Sequence, residues 1–125
     1  MKVLSMTPVS ENQIKFILNL KRKGIKNKDV LNAMETVDRG LFLEGIFQER
    51  SQDDIPLPIN CGQTISQPSI VAKMIEKLEI NKNCKVLEVG TGSGYQTAIL
   101  SRLSRRVYSI ERHEYLKKKA EELLQ

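Results

Sequence analysis

A short apolar run that breaks into three alternating glycines constrains the fold of this chain more than any other stretch. It runs Val86-Leu87-Glu88-Val89-Gly90-Thr91-Gly92-Ser93-Gly94-Tyr95. Val86, Leu87 and Val89 are typical of a strand that is buried on both faces of a parallel sheet. Apolar residues then recur at helical spacing, at Tyr95, Ala98, Ile99 and Leu103. The pattern predicts a strand, a glycine turn and a helix whose first N–H groups favour an anionic partner.

Two carboxylates flank this turn. Glu88 interrupts the apolar run, and a buried carboxylate is costly unless a backbone N–H group or a cationic or hydroxyl-bearing ligand pairs with it. A second apolar strand, Arg106–Ile110, ends in Glu111, where a Rossmann-like βαβ unit places the acidic residue that accepts hydrogen bonds from ribose. The spacing is G-x-G-x-G, which differs from the G-x-G-x-x-G of dinucleotide binders. The residues form either a plain strand-to-helix turn or a site for a nucleoside with a charged tail, and the carboxylates favour the nucleoside.

A proline-rich segment precedes the next predicted helix. It runs Ile55-Pro56-Leu57-Pro58-Ile59-Asn60-Cys61-Gly62-Gln63-Thr64-Ile65-Ser66-Gln67-Pro68. Alternating prolines force extended backbone and Gly62 permits a turn, so the segment predicts an ordered loop and not a helix. Pro68 suits the first position of the following helix, which places Ser66 or Gln67 at its cap. From spacing alone, a capping role and a functional role for Ser66 are both open.

At the glycine turn the chain resembles the S-adenosylmethionine-dependent methyltransferases, whose first motif has the pattern E/D-x-G-x-G-x-G. The stretches VLEVGTGSGYQTA at 86–98 and VYSIER at 107–112 are similar to the protein-L-isoaspartate O-methyltransferase family. The segment 56–68 closely matches the part of that family that carries its active-site serine. The resemblance implies an α/β, Rossmann-like methyltransferase fold with an N-terminal helical hairpin, here truncated after the second strand.

The resemblance also implies an activity. The chain is expected to move a methyl group from S-adenosylmethionine to the carboxylate of L-isoaspartyl (D-aspartyl) residues in damaged proteins, which repairs them and leaves S-adenosylhomocysteine. Ser66 is then the active-site residue, and Thr64 and Ile65 line the pocket for the donor and the isoaspartyl peptide. The residues expected to hold the donor are Glu88, Gly90, Gly92 and Gly94 at its methionine end and Glu111 at its ribose.

The chain departs from the family in one place. Typical members have Gly-His before the glycine of the Ser66 loop, where this chain has Asn60-Cys61. The departure leaves the hydroxyl residues intact and removes that histidine. A carboxylate with a pKa of roughly 4 is ionised at neutral pH, so the reaction needs no strong general base. This suits a chain whose single histidine, His113, is expected in an exposed helical position.

The rest of the chain predicts helices. A capping box from Ser10 to Gln13 begins a helix that ends near Gly24, and a second helix runs from about Asp29 to Val37. The stretch from Glu44 to Asp54 is polar and predicts a loop, and the last helix begins near His113. The residues expected to be buried are Ile14, Ile17 and Leu18 in the first helix, Val30, Leu31, Met34 and Val37 in the second, Ile70, Val71, Met74, Ile75 and Leu78 in the helix after Pro68, and Leu116, Ala120, Leu123 and Leu124 in the last.

Composition excludes several classes of protein. A chain of 125 residues with 40% apolar residues is expected to form one structural domain. Within it the resemblance implies an N-terminal helical region at 1–54, and a substrate loop plus the first half of the S-adenosylmethionine-binding Rossmann-like unit at 55–125. The net charge is +5, but the cations are scattered, so we expect no nucleic-acid partner. The two cysteines have no metal-ligand spacing, so we expect no metal and reduced thiols. No apolar run approaches membrane-spanning length and no signal-peptide h-region opens the chain, so we expect a cytoplasmic protein without membrane contact.

Only two strands of a methyltransferase sheet are predicted before Gln125. The strand before the glycine turn would lack neighbours and present an unpaired edge. We therefore expect the chain to dimerise, to swap elements or to be poorly stable, with weak or no activity. Two alternatives stay open. One is a non-catalytic fragment that binds a nucleoside or assembles through the sheet edge, and the other, less favoured, is a nucleic-acid methyltransferase.

Overall fold

A computed structural model describes residues 10–125. The first nine residues, on which the expected absence of a signal-peptide h-region depends, lie outside this range. In chain order the elements are α1 (Glu11–Arg22), α2 (Lys28–Thr36), two 3-10 turns (Arg39–Phe42 and Gly45–Arg50), β1 (Leu57–Pro58), β2 (Thr64–Ile65), α3 (Pro68–Leu78), β3 (Lys85–Val89), α4 (Tyr95–Leu103), β4 (Arg106–Ile110) and α5 (Glu114–Leu124). The division into regions 1–54 and 55–125 stays a prediction.

The predicted strand, glycine turn and helix are confirmed as one βαβ unit. Strands β3 and β4 pair in parallel, with Lys85 opposite Arg106 and Val89 opposite Ile110. Helix α4 connects them, and its four predicted apolar positions are all buried. Because parallel strands end at the same edge of the sheet, the glycine turn and Glu111 lie together beyond β3 and β4.

Helix α2 lies at the centre of the helical layer, where it packs against α1, α3 and α4. All four apolar residues predicted for its buried face are buried. At the start of α1 the Oγ atom of Ser10 accepts from the Gln13 N–H at 3.1 Å, as half of the predicted capping box. The Gln13 side chain instead donates to the carbonyl oxygen of Glu35 at the end of α2, so it joins the two helices.

The predicted buried faces of α1 and α3 are partly wrong. In α1 the buried residues are Phe16 and Leu20, whereas Ile14 and Leu18 are exposed. In α3 the buried residues include Val71 and Ile75, and the exposed ones include Ile70, Met74 and Leu78. Both helices carry more apolar residues than one contact face can cover, so periodicity alone marks the wrong side.

The expectation that β3 is buried on both faces is also wrong. Leu87 and Val89 are 64% and 80% exposed, and Tyr108 and Ile110 of β4 are exposed on the same side. Val86 is half-buried and Glu88 is buried on the opposite side. Within residues 10–125 the helices cover one face of this sheet, so its other apolar face meets solvent.

The segments before α3 contain more regular structure than predicted. Within 44–54, which was expected to be a loop, Gly45–Arg50 forms a 3-10 turn. Within 55–68, strands β1 and β2 pair as a short antiparallel hairpin, with Leu57 opposite Ile65. Pro68 is the first residue of α3 as predicted, and Gln67, not Ser66, is its N-cap residue. None of the helices among the described residues has both the length and the apolarity to cross a membrane.

Asp54 joins the hairpin to two helices. Its carboxylate accepts from the Asn19 side chain at 3.2 Å and from the N–H of Ser69 at 2.8 Å, and it forms an ion pair with Lys23. Burial by itself raises the pKa of Asp54. Hydrogen bonds from Lys23, from the backbone and side chain of Ser69 and from Gln67 outweigh burial and lower the pKa to about 2.

We expect Asp54 to make the fold sensitive to acid. Because its pKa is lower in the folded chain than in the unfolded chain, its stabilisation is complete above about pH 4 and is lost as the pH falls towards 2. Asp54→Asn is expected to reduce the free energy of unfolding by about 2 kcal/mol at pH 6 and by little at pH 2. Urea unfolding across this range checks it, with Asp53→Asn as control. Parallel pH profiles for Asp54→Asn and the wild type would contradict the prediction.

Candidate functional site

The glycine turn is fixed to the end of β4 by main-chain hydrogen bonds. The N–H groups of Gly90 and Thr91 both donate to the carbonyl oxygen of Ile110, at 2.7 and 3.2 Å, and the N–H of Gly94 donates to the carbonyl oxygen of Thr91 at 2.9 Å. The turn is therefore a rigid part of the sheet edge and not a loose connection.

Two glycines of the turn share one conformation and have different surroundings. Gly90 and Gly94 both have φ of +93°, which disfavours residues with a Cβ atom. A Cβ atom at Gly90 would meet nothing within 4 Å, whereas at Gly94 it would lie 3.3 Å from the Cβ atom of Ala120 and 3.4 Å from the Cδ1 atom of Leu124. Gly94 thus allows α5 to approach α4, and Gly90 leaves open space at the sheet edge that a ligand can occupy.

Substituting these two glycines is expected to separate stability from binding. Both alanine variants carry a backbone strain of about 1 kcal/mol or more, and Gly94→Ala adds a packing conflict of about 1 to 3 kcal/mol. Gly94→Ala should therefore have the lower melting temperature. Gly90→Ala should lose more affinity for a ligand at the turn. Thermal unfolding and calorimetric titration check the pair, and equal stability of the two variants would contradict the packing argument.

Glu88 lies in an internal hydrogen-bond network. It is 5% exposed, and its Oε1 atom accepts from the hydroxyls of Thr97 and Ser109 at 2.5 and 2.6 Å, while its Oε2 atom accepts from the amide of Gln96 at 3.0 Å. Since the Ser109 proton goes to Glu88, the 2.5 Å contact between Thr91 and Ser109 has Thr91 as donor. The carboxylate is thus satisfied within the chain, and it connects α4, β4 and the glycine turn.

Glu111 also contacts the turn. Its Oε2 atom accepts from the N–H of His113 at 2.8 Å and its Oε1 atom from the N–H of Gly92 at 2.9 Å. These two bonds lower the pKa of Glu111, and the charge of His113 adds to them against the opposing effect of burial. The side chain is half-buried, so an ionised carboxylate at the end of β4 keeps lone pairs that can accept from a ligand hydroxyl.

His113 differs from its predicted setting. It is not an exposed helical residue, because it is the N-cap residue of α5 and is half-buried. Its Nε2 atom is buried and has no hydrogen-bond partner within residues 10–125. The position follows from Glu111, which holds the N–H of His113 and so fixes the start of α5.

A cavity of about 510 Å³ lies beside the glycine turn. Gly92 and Ser93 border it on one side, and the hairpin residues Pro58, Ile59 and Asn60 border it on another. A Cβ atom on Gly92 would lie 3.9 Å from the Cδ1 atom of Ile59. The hairpin that leads to Ser66 therefore packs directly against the glycine turn.

The three residues predicted for the site in the Ser66 segment differ in their exposure to solvent. Thr64 and Ser66 are exposed, so their hydroxyls can reach a ligand. The side chain of Ile65 is a core residue opposite Leu57. The expectation that Ile65 lines a pocket therefore does not hold for its side chain. Only its main chain is available for that role.

Sequence reasoning missed Arg39 as a site-supporting residue. Arg39 is 3% exposed and donates from its two Nη atoms to the main-chain carbonyls of Ser51, Asp53, Ile55 and Ser66. A lone arginine after an amphipathic helix is an ordinary surface pattern. The one sequence signal for Arg39 is its position between α2 and the polar stretch from Glu44 to Asp54.

The residues at the sheet edge fit a nucleoside. Gly90 gives room at the main chain, and Glu111 supplies an ionised acceptor for ribose hydroxyls. Glu111 is a half-buried, ionised carboxylate rather than a neutral acid, which suits a ligand that brings hydroxyl donors. Ser66 adds an exposed hydroxyl in the adjoining segment.

Comparison with known sequences gives one consistent result. A family model described as protein-L-isoaspartate(D-aspartate) O-methyltransferase matches residues 11–125. A protein-L-isoaspartate O-methyltransferase of Roseobacter denitrificans is 56% identical over 116 residues, which are 93% of this chain and 54% of the relative. One of Ruegeria pomeroyi is 55% identical over 118 residues, or 94% of this chain and 55% of the relative. The chain thus spans about half the length of the curated relatives it matches.

Solved structures agree with the sequences. One protein-L-isoaspartate O-methyltransferase superposes with a TM-score of 0.80 at 28% identity and covers 90% of this chain and 38% of that protein. A Plasmodium falciparum structure, described as such an enzyme in complex with S-adenosyl-L-homocysteine, superposes with a TM-score of 0.77 at 31% identity and covers 92% of this chain and 56% of that one. These matches confirm the α/β, Rossmann-like methyltransferase fold, of which residues 10–125 carry two parallel strands.

Proposed function

This chain belongs to the protein-L-isoaspartate(D-aspartate) O-methyltransferase family, and from that membership we propose that it serves in methyl transfer from S-adenosylmethionine to the carboxylate of L-isoaspartyl or D-aspartyl residues in damaged proteins. The observation that carries the proposal is the sheet edge, where the open main chain of Gly90 lies beside the ionised Glu111. The substrates are isoaspartyl peptides and proteins, and the product of the donor is S-adenosylhomocysteine.

In this proposal each residue has a limited task. S-adenosylmethionine supplies an electrophilic methyl group on a sulfonium. The main chain of Gly90, Gly92 and Gly94 lies along its methionine end, and Gly94 also allows α5 to pack against the turn. Glu111 accepts hydrogen bonds from the ribose hydroxyls. A direct contact from Glu88 to the methionine end stays a prediction, while its network gives Glu88 an indirect role through Thr91.

The acceptor side depends on the Ser66 segment. The isoaspartyl carboxylate is ionised at neutral pH, so the chain has to orient it and need not remove a proton. The exposed hydroxyl of Ser66 can donate to one carboxylate oxygen and leave the other free to attack, with Thr64 beside it. Alignment of the reacting groups in a site shielded from water can lower a barrier by about 7 to 11 kcal/mol.

Methyl transfer from labelled S-adenosylmethionine tests the proposal directly. The acceptors are an isoaspartyl peptide and the same peptide with an ordinary aspartyl residue. We expect label on the isoaspartyl peptide alone, at a rate that can be low. Equal labelling of both peptides, or binding of S-adenosylhomocysteine without any labelling, would contradict the proposal. The second outcome would favour the non-catalytic alternative, and labelling of RNA or DNA would favour the nucleic-acid alternative.

A cytoplasmic location is part of the proposal and agrees with two free cysteines.

The bare face of the two-stranded sheet supports a proposal about assembly. Leu87, Val89, Tyr108 and Ile110 form an exposed apolar patch on β3 and β4, and such patches favour association. We expect this chain to form dimers at micromolar concentration, which sedimentation velocity measures. Val89→Lys with Leu87→Lys should yield monomers, whereas Ile46→Lys, at an exposed apolar residue of the 3-10 turn Gly45–Arg50, should not. A wild-type chain that sediments as a monomer throughout would contradict this expectation.

A further inference from the structure

Arg39 connects the Ser66 segment to the rest of the molecule. It is the first residue of the 3-10 turn Arg39–Phe42 and is buried. One Nη atom donates to the carbonyls of Ser51 and Asp53, both at 3.1 Å, and the other donates to those of Ile55 at 2.7 Å and Ser66 at 3.2 Å. All four Nη hydrogens are therefore used, and none of them binds a carboxylate.

This use of a buried cation points to a geometric role. Burying a charge is costly unless it is well hydrogen-bonded, and a planar guanidinium can hold four carbonyls in fixed directions where a lysine ammonium has only three N–H groups. Two of the four carbonyls, those of Ile55 and Ser66, flank the β1–β2 hairpin, one before β1 and one after β2. Arg39 therefore closes the base of the hairpin.

Ser66 depends on this contact more than its neighbours do. Thr64 and Ile65 are held by pairing with Pro58 and Leu57, and Ser69 is held by Asp54. Among residues 10–125, the hydrogen bond to Arg39 is the one polar contact that holds Ser66. The direction of the exposed Ser66 side chain thus follows from a main chain that Arg39 fixes.

The 3-10 turn Arg39–Phe42 also contacts helix α4, which follows the glycine turn. Phe42, at the other end of the turn, makes an edge-to-face contact with Tyr95, with ring centroids 5.6 Å apart. Tyr95 is the first residue of α4 and follows Gly94 directly. The contact next to the glycine turn is thus made by Phe42 and not by Arg39, whose bonds go to the Ser66 segment and the chain before it.

We propose that Arg39 is a positioning residue for methyl transfer: it holds the main chain of Ser66 so that the Ser66 hydroxyl faces the acceptor carboxylate. This inference rests on the proposed function. Arg39 is buried and its Nη atoms bond only to main-chain carbonyls, whereas the residues proposed to hold the donor lie in the glycine turn and directly after β4. Its loss should therefore slow transfer and leave donor binding nearly unchanged.

The test uses the full chain with Arg39→Met and Arg39→Lys, and Arg50→Met as a matched control. Arg50 is an exposed arginine of the next 3-10 turn whose Nε atom lies 3.1 Å from Asp53. The lysine variant keeps the charge and loses the fourfold contact, so it serves if the methionine variant does not fold. We expect kcat/KM for the isoaspartyl peptide to fall about 30-fold or more, as for a small misplacement of a reacting group. Affinity for S-adenosylhomocysteine should stay within about threefold of wild type, a change well below one tenfold step in binding.

A double-mutant cycle separates positioning from general structural support. If Arg39 acts through Ser66, Arg39→Lys should reduce activity little further in a Ser66→Ala background, because the hydroxyl that Arg39 positions is already absent there. Equal losses in both backgrounds, or a parallel loss of S-adenosylhomocysteine affinity, would overturn the inference.

Amide hydrogen exchange gives a readout that does not need activity. Peptides covering 64–67 should exchange about tenfold faster in Arg39→Lys than in wild type or Arg50→Met, while peptides from α4 stay protected. If the wild-type chain transfers no methyl group, the proposed function fails and the positioning role in transfer fails with it, and the exchange result then shows only whether Arg39 holds the main chain of the Ser66 segment. Unchanged exchange at 64–67 would overturn the inference.

Discussion

Replacing Glu88 with methionine is expected to destabilise this chain by about 2 to 4 kcal/mol, because the buried hydroxyl of Thr97 and the half-buried hydroxyl of Ser109 lose their carboxylate acceptor. Thr97 is buried, and its hydroxyl and that of Ser109 both donate to the same carboxylate oxygen. The loss is large for a small domain, whose total stability is about 5 to 15 kcal/mol. Urea unfolding measures it.

Glu88→Gln is the matched control for that experiment. Glutamine keeps an acceptor oxygen for Thr97 and Ser109, and the amide of Gln96 can turn to accept from the new N–H groups. We expect a cost of about 1 kcal/mol. Equal stability of the methionine variant and the wild type would show that the network contributes nothing. A large loss of S-adenosylhomocysteine affinity in a stable Glu88→Gln variant would support the direct contact between Glu88 and the donor.

Replacing Glu111 with alanine is expected to weaken S-adenosylhomocysteine binding by about 100-fold. In the proposed role Glu111 accepts two charge-assisted hydrogen bonds from ribose hydroxyls, together worth about 3 kcal/mol, and each 1.4 kcal/mol corresponds to about tenfold in affinity. The hydrogen bonds to Gly92 and His113 lower the pKa of Glu111. The carboxylate therefore stays ionised throughout the neutral range, and we expect no change in donor affinity from its titration there.

Glu114→Ala controls for the loss of a negative charge nearby. Glu114 is the first residue of α5, is exposed, and has an ion pair with Lys118 at 3.8 Å. Its removal should leave donor affinity within about twofold, since exposed ion pairs contribute little. Calorimetric titration of both variants gives the comparison. Similar affinities for Glu111→Ala and Glu114→Ala would show that Glu111 does not hold the ribose.

Local patterns predicted the centre of the molecule well. The strand, glycine turn and helix, the strand that ends in Glu111, and Pro68 as the first residue of α3 are all confirmed. Each of these features depends on residues that are close in sequence. Glycine and proline restrict the backbone directly, and an apolar run followed by helical periodicity is a short-range signal.

The errors concern contacts between distant residues. Periodicity marked Ile14 and Leu18 as buried, but α1 presents Phe16 and Leu20 to the core. Leu87 and Val89 have the sequence pattern of core residues in a central strand. They are exposed because, within residues 10–125, the helices cover only the opposite face of the sheet. Arg39 bonds to carbonyls 12 to 27 residues away, a kind of contact that no spacing rule contains.

The site was predicted in the same uneven way. The positions of Gly90 and Glu111 at one sheet edge follow from the βαβ topology, so the sequence sufficed for them. Whether a carboxylate binds a ligand or its own chain depends on neighbours from other elements. Gln96, Thr97 and Ser109 satisfy Glu88, so the partners expected for a buried glutamate are side chains of the chain itself, and a donor contact of Glu88 stays a prediction.

Calorimetric titration of the wild-type chain with S-adenosylhomocysteine tests the central claim most directly, namely that the glycine turn and Glu111 form a donor site within these residues. We expect saturable binding of one molecule per chain, weakened by Gly90→Ala and by Glu111→Ala. Absence of binding at millimolar ligand by a folded chain, or binding that neither substitution weakens, would contradict the claim.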